Sequence, residues 1–316
     1  MRVRKRALGK TGLYVSEMSL GTWGLSGDGY GKVDPEQAEK TVRRAVELGI
    51  TLFETSDAYG AGEAEALLGR VLSKNDDAII VTKGGTDRTT EPARKRFDSV
   101  YLRASVMRSL KRLDRDRVDV FLMHNPSIAC LKAGEAPATL EKLKVEGRIA
   151  HWGVASGDAE VAFAAIAQGA SVIELAYNLF HSVDLNRIAG EIMVNGIGVL
   201  ARSVLGYGLF SDIWTKERTF DDGDHRSDRW TKQDLERRIE QLETVRYLVK
   251  DDVKTLRAAA VRFALSNTLV SSAVLGPKSV IQLDDLVRET GSGPLYLPDA
   301  DLAVLPRKLI RAGILV

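Results

Sequence analysis

The sequence contains one cysteine, Cys130, in 316 residues. A lone thiol excludes an internal disulfide and fits a reducing compartment. No base or metal-ligand cluster stands beside it, so it reads as structural, and no metal site is expected. Long apolar runs are also absent: none approaches the ~18 residues of a membrane-spanning helix. The first residues lack the apolar segment of a secretion signal. The expected setting is the cytoplasm, with no membrane partner. Net charge is only +2, too small to point to nucleic acid. The basic residues Arg2, Arg4, Lys5, Arg6 and Lys10 read as a solvated surface ribbon. No low-complexity linker divides the chain. No Gly-x-Gly-x-x-Gly turn stands near the start, which argues against a doubly wound dinucleotide fold.

What is present is a regular alternation. Hydrophobic residues make up 44% of the chain and charged residues 28%, ample for a core. Short continuous apolar runs recur near 18–21, 51–54, 78–83, 118–124, 149–154, 172–176, 198–201 and 272–275. Such runs fit buried parallel strands. Between them lie segments with helical spacing, at 35–48, 61–72, 97–113, 137–146, 158–167 and 185–194, with 279–289 after the last strand. Pro35 at a helix start and Gly49 at its end are typical signals. About eight strand–helix units predict an α/β fold, a (β/α)8 TIM barrel, as one domain over 1–316. Residues 2–15, turning at Gly9 to Gly12, predict a β-hairpin that closes the amino end. The stretch 203–230 reads as a long loop after strand seven, of the kind that carries function. Residues 233–250 and 254–266 read as two further helices.

Three strands each deliver one polar group near their carboxyl ends. Phe53–Glu54–Thr55–Ser56–Asp57–Ala58–Tyr59–Gly60 brings Tyr59, Thr82–Lys83 brings Lys83, and Leu122–Met123–His124–Asn125–Pro126 brings His124. In a parallel barrel those ends meet on one face. Carbonyl reduction needs a hydride and a proton for the developing alkoxide. A tyrosine can give that proton, although its ordinary pKa is about 10. An ammonium at ~4 Å contributes roughly 4 kcal/mol at an effective dielectric of ~20. That predicts a phenol lowered by up to about three units. Glu54 is placed to keep Lys83 charged, and His124 to orient the carbonyl.

These stretches, with others in order along the chain, resemble the aldo-keto reductase family. Gly62 to Gly69 resembles the family's G-x-x-E-x-x-L-G. Arg148 with Trp152–Gly153–Val154–Ala155–Ser156 resembles R-x-x-G-x-S. Glu174–Leu175–Ala176–Tyr177–Asn178 resembles Q-x-x-Y-N. Ser203–Val204–Leu205–Gly206–Tyr207–Gly208–Leu209 resembles S-P-L-x-x-G-L. Val270 to Gly276, with Gln282–Leu283, resembles the closing pattern. The resemblance implies NADP(H) laid across the carboxyl mouth, with NAD(H) as the lesser alternative. It implies Tyr59 as acid, Lys83 and Glu54 as its tuners and His124 as orienting group. Gly21, Thr22, Trp23, Ser156, Gly157, Glu174, Arg202, Ser203, Leu205, Gly206, Gly276, Lys278, Gln282 and Asp285 would meet the cofactor. Lys278 would stand where a 2′-phosphate lies. Trp23, Tyr30 and Arg202 would face the substrate.

Four positions depart from the family pattern. Glu54 replaces an aspartate, Glu174 a glutamine, Gly157 an asparagine and Arg202 an aromatic. Arg202 is expected either to stack on the nicotinamide, to select an anionic substrate, or to pair with Glu174. The implied activity is NADPH-dependent reduction of an aldehyde or ketone, a sugar or other polar carbonyl. Alternatives are an NADPH-binding regulatory, redox-sensing subunit and a lyase using Lys83 as a Schiff base.

Overall fold

The computed structural model of the protein describes residues 3–291, 293 and 296–315. Met1 and Arg2, the start of the expected basic ribbon and hairpin, lie outside the described residues. The chain opens with an antiparallel hairpin, β1 (Lys5–Ala7) and β2 (Tyr14–Ser16). Eight apolar runs then form parallel strands: β3 (Met18–Gly21), β4 (Leu52–Glu54), β5 (Ile79–Gly84), β8 (Val118–His124), β9 (Ile149–Ala155), β10 (Val172–Ala176), β11 (Gly198–Arg202) and β12 (Ser272–Leu275). A small hairpin, β6 (Thr86–Asp87) and β7 (Arg94–Lys95), rises from the end of β5. The eight parallel strands close into a barrel, with Ala273 of β12 opposite Met18 of β3.

Helices follow the strands: α1 (Pro35–Glu47), α2 (Glu63–Leu72), α3 (Ser99–Leu113), α4 (Ile128–Ala133), α5 (Glu135–Val145), α6 (Ala159–Ala167) and α7 (Val183–Asn195). Then come α8 (His225–Arg229), α9 (Lys232–Gln241), α10 (Leu256–Ser266), α11 (Val280–Thr290) and α12 (Asp299–Arg311). Short polar side chains start several of them. Asp34 accepts from the Glu36 amide at 3.0 Å, Asp98 from Tyr101 at 2.9 Å and Asp158 from Val161 at 2.9 Å. Each such cap satisfies an amide that the helix leaves free.

Two apolar layers result. Phe53, Ile80, Phe121, Met123, Val154, Ile173 and Val199 point outward, into the layer beneath the helices. Leu52, Val81, Val120, Leu122, Ala155, Val172 and Leu200 fill the barrel interior. Leu8 and Val15 of the hairpin join this inner cluster and plug its amino-terminal end. Arg6 fastens the hairpin, donating to the carbonyls of Leu265 at 2.7 Å and Val270 at 2.9 Å. Gly153 is required where β9 meets β10, because a Cβ there would sit 1.7 Å from the Val172 carbonyl oxygen.

Some elements differ from the sequence reading. The helix expected over 233–250 stops at Gln241 and gives way to two 3-10 turns, Leu242–Thr244 and Arg246–Leu248. Buried Leu242, Val245 and Leu248 recur every third residue, and a three-residue period keeps them on one face of a 3-10 turn. The stretch 203–230 contains a 3-10 turn, Gly206–Ser211, and α8. Packing orders it: Arg226 lies over the rings of Tyr30, Phe220 and Trp214, at 5.0, 4.8 and 5.6 Å.

Candidate active site

Side chains alternate across a strand. Counting two residues on from the inner apolar cluster therefore gives the polar residues of the mouth. Leu52 leads to Glu54, Val81 to Lys83, Leu122 to His124, Val172 to Glu174 and Leu200 to Arg202. Five strands thus present five polar groups on one inner surface. Tyr59 joins them from the turn after β4, in the 3-10 segment Tyr59–Gly62.

Lys83 is the centre of the group. Its side chain is 1% exposed and forms ion pairs with Glu54 and with Glu174, the latter at 3.3 Å. A buried ammonium without such partners costs several kcal/mol. The Tyr59 hydroxyl donates to Oε1 of Glu54 at 3.3 Å. The Lys83 ammonium stands 5.1 Å from the centre of the Tyr59 ring. Gly21 makes room for the longer acidic side chain: a Cβ there would lie 3.0 Å from Oε2 of Glu54. His124 is held from below, its Nδ1 3.1 Å from the Ser56 hydroxyl. The same hydroxyl lies 3.1 Å from the Lys83 carbonyl.

The protonation states follow from burial and charge. Burial, Lys83, Lys95 and Arg202 hold His124 well below its ordinary value, so the imidazole is neutral. Burial takes the Lys83 ammonium down to about 8, opposed by Glu174. The expected lowering of Tyr59 is reversed. Burial of its hydroxyl and the Glu174 carboxylate push it well above 10, with Arg202 pulling the other way. Lys83 is shared between two carboxylates and so has little net charge to offer the phenol.

Other positions fall differently from their expected places. Arg202 does not pair with Glu174. It donates to the Ser156 carbonyl at 3.0 Å and to the Ser203 hydroxyl at 3.3 Å. The Ser156 hydroxyl turns back to the Asp158 carbonyl within its own loop. Lys278 donates to the Tyr30 carbonyl at 2.6 Å. Gln282 accepts from the Lys278 amide at 2.8 Å, and Asp285 pairs with Arg288 and, at 3.7 Å, with Arg257. Gly157 and Gly276 leave open space, the first with nothing within 4 Å of a Cβ. Leu205 and Gly206 lie in the turn after β11, where Ser203, Gly206, Tyr207 and Gly208 all have positive φ.

Trp23 forms the rim. It stacks on Tyr59 at 5.8 Å and meets Tyr30 edge-on at 5.2 Å. Sequence reasoning missed a third partner, His225, 4.3 Å from Trp23. His225 comes from the 203–230 stretch, whose Asp224 bridges Tyr30 and whose His225 amide donates to the Gly29 carbonyl at 3.0 Å. A strap therefore crosses from the end of β11 to the turn after β3. Burial holds the His225 imidazole down to about 4. Its only advance signal was its place in the long loop. Oγ1 of Thr22 and Nε2 of His225 are buried with no hydrogen-bond partner among the described residues. Orphaned polar atoms at one mouth fit a polar ligand. The turn after β11 is rich in glycine and positive φ, and the backbone amides of such turns can bind phosphate.

A parallel barrel with a phenol, an ammonium and a neutral imidazole at its carboxyl mouth fits an oxidoreductase acting on carbonyls. Comparison with known proteins gives the family. The Aldo/keto reductase family model matches residues 17–292. The aldo-keto reductase YhdN of Bacillus subtilis strain 168 is 28% identical over 293 residues, covering 90% of this chain and 88% of that protein. The NADH-specific methylglyoxal reductase of Escherichia coli strain K12 is 27% identical, covering 98% and 99%. The structure of a glycerol dehydrogenase from Gluconobacter oxydans superposes with a TM-score of 0.84 at 25% identity, covering 99% of this chain and 97% of that one. The chain belongs to the aldo-keto reductase family, whose members use nicotinamide cofactors and act on small carbonyl compounds. Among the described residues no helix is long and apolar enough to cross a membrane.

Proposed function

We propose that the protein is an NADPH-dependent reductase of small polar aldehydes or ketones, with Tyr59 as the proton donor. One observation carries this reading: the Tyr59 hydroxyl, the paired Lys83 ammonium and the His124 imidazole share one mouth, with Tyr59 and Lys83 both touching Glu54. Trp23 and the strand-end turns would hold the nicotinamide cofactor, which would supply hydride. His124, neutral, donates a hydrogen bond to the carbonyl oxygen and orients the carbonyl. Tyr59 gives its proton to that oxygen as negative charge develops. The resulting phenolate recovers its proton from water.

Thr22, Ser203, Leu205 and Gly206 are assigned to the cofactor's path across the mouth, and Lys278 to its adenosine end. Lys278 has two further donors beyond the Tyr30 carbonyl and favours NADPH over NADH. Trp23, Tyr30 and Arg202 are assigned to the substrate rim. A lyase role for Lys83 is disfavoured by its surroundings, since an amine buried between two carboxylates has neither the free lone pair nor the room that a Schiff base needs. The test is a panel containing methylglyoxal and glyceraldehyde, followed at the NADPH absorbance with Tyr59→Phe as control. Oxidation of NADPH that Tyr59→Phe reduces by about a thousandfold supports the assignment. Tight dinucleotide binding with no turnover on any carbonyl would replace it with a regulatory role.

A further inference from the structure

Two residues at the mouth carry opposite charges and touch different parts of the acid's surroundings. Glu174, on β10, reaches Lys83 at 3.3 Å and is 1% exposed. Arg202, on the adjacent β11, stands two residues further toward the mouth, since the register pairs Glu174 with Leu200 and Ala176 with Arg202. The two side chains are not bonded to each other. Glu174 spends its charge on the lysine, and Arg202 is tied to the Ser156 carbonyl and the Ser203 hydroxyl.

The balance of charge around Tyr59 is then specific. Glu54 approaches from β4, Lys83 from β5, neutral His124 from β8, Glu174 from β10 and Arg202 from β11. Asp28 and Tyr30 approach from the turn after β3, and Tyr207 stands behind Arg202. Lys83 with one carboxylate would be a neutral pair. With two it is a unit of net charge −1, and the buried phenol borders that unit directly. Two cations stand outside it, Lys95, which donates to the His124 carbonyl at 2.8 Å, and Arg202, and of these Arg202 is the one that bears on Tyr59.

We infer that Glu174 is a positioning residue that cancels the Lys83 charge toward Tyr59, with Arg202 as its counterweight, so that the free site keeps the phenol protonated where the lysine alone would help to ionise it. The inference rests on the reading of Tyr59 as the acid. In reduction the carbonyl carbon gains hydride, its oxygen gains the Tyr59 proton, and the phenolate recovers a proton from water. Reversal follows the same path, with the phenolate taking the alcohol proton as the carbon gives up hydride. The phenolate is common to both directions, so the second carboxylate acts on the free site, where it keeps Tyr59 in the protonated form from which carbonyl reduction starts.

The test reads Tyr59 directly. Phenolate absorbance is titrated in Glu174→Gln and in Glu174→Gln/Arg202→Gln, each corrected by the same protein carrying Tyr59→Phe. One buried charge at such range moves ionisation by about one pH unit or more at the effective dielectric of a protein. Glu174→Gln is expected to lower the Tyr59 midpoint by about one unit, and addition of Arg202→Gln to raise it again. The alkaline limb of methylglyoxal reduction should move with it. Glu174→Asp, which keeps the charge, should stay near the unsubstituted profile, and it decides the matter with Arg202→Gln if Glu174→Gln fails to fold. No shift, or shifts of one sign in both proteins, overturns the inference. If Tyr59→Phe alone leaves methylglyoxal reduction intact, the assignment of the acid has failed instead.

Discussion

Ser56 hydrogen-bonds Nδ1 of His124 at 3.1 Å from two residues beyond β4, a strand that does not adjoin β8. The serine hydroxyl has one proton and two acceptors in reach, the imidazole nitrogen and the Lys83 carbonyl. The Asp57 amide already serves that carbonyl at 2.9 Å. A serine proton given to Nδ1 would set the histidine proton on Nε2, toward the mouth. Ser56→Ala removes this control of the tautomer. It is expected to lower kcat by about tenfold with little change in thermal stability, the order seen when a residue supporting a site ligand is lost. Unchanged kcat with methylglyoxal would separate Ser56 from the histidine.

Glu54 is expected to matter for stability as well as for rate. Glu54→Ala removes one of two carboxylates from an ammonium that is 1% exposed. Loss of one partner from a buried ion pair costs about 3 kcal/mol. Urea unfolding should show a lower midpoint with an unchanged slope. A midpoint within error of the parent protein would mean that Glu174 alone suffices for Lys83.

Asp57 gives a pH signature in the opposite sense from most acids. Burial raises it to about 6, despite a hydrogen bond from Ser105 at 2.8 Å. The folded protein therefore holds this proton more firmly than the unfolded chain. Its contribution is fully present below about pH 4 and is lost as pH rises through 6. Asp57→Asn lacks the charge, so its stability relative to the parent should improve by about 2 kcal/mol between pH 4 and 7. Parallel stability curves for the two proteins over that range would contradict the assignment.

His225 should make the strap sensitive to acid. Its imidazole is held down to about 4 in the folded state. Between there and the ordinary value of about 6.5 the unfolded or released strap takes up the proton. Stability of the closed strap is thus present above pH 6.5 and falls as pH drops toward 4. Proteolysis within 212–224 is expected to speed up over this range. His225→Phe should remove the acceleration, and persistence of the effect in that variant would place the sensitive group elsewhere.

Lys278→Ala is expected to weaken NADPH binding by about tenfold or more while leaving NADH nearly unchanged, because loss of an ammonium is felt chiefly by the extra phosphate. Equal losses for both dinucleotides, read by fluorescence titration, would show that Lys278 serves the Tyr30 carbonyl alone.

Much of the barrel was legible because its strands are continuous apolar runs with sharp polar ends. Met18–Gly21, Val118–His124, Val172–Ala176 and Ser272–Leu275 have the limits read from sequence. Glu54 beside Lys83 could be inferred from alternation at the ends of adjacent strands. Glu174 on Lys83 could not, since 91 residues separate them and the family pattern places a neutral amide there. The strap was visible only as a long loop. Its closure depends on backbone pairing between Tyr30 and Asp224, which has no local signature. The helix expected over 233–250 failed because three-residue and four-residue apolar spacing look alike over one turn.

The hairpin plug has a consequence for traffic. With Leu8 and Val15 filling the lower end, the barrel is a cup and not a pipe. Anything that reaches the phenol arrives and departs past the same indole and imidazole, so whatever lies deepest is last to leave.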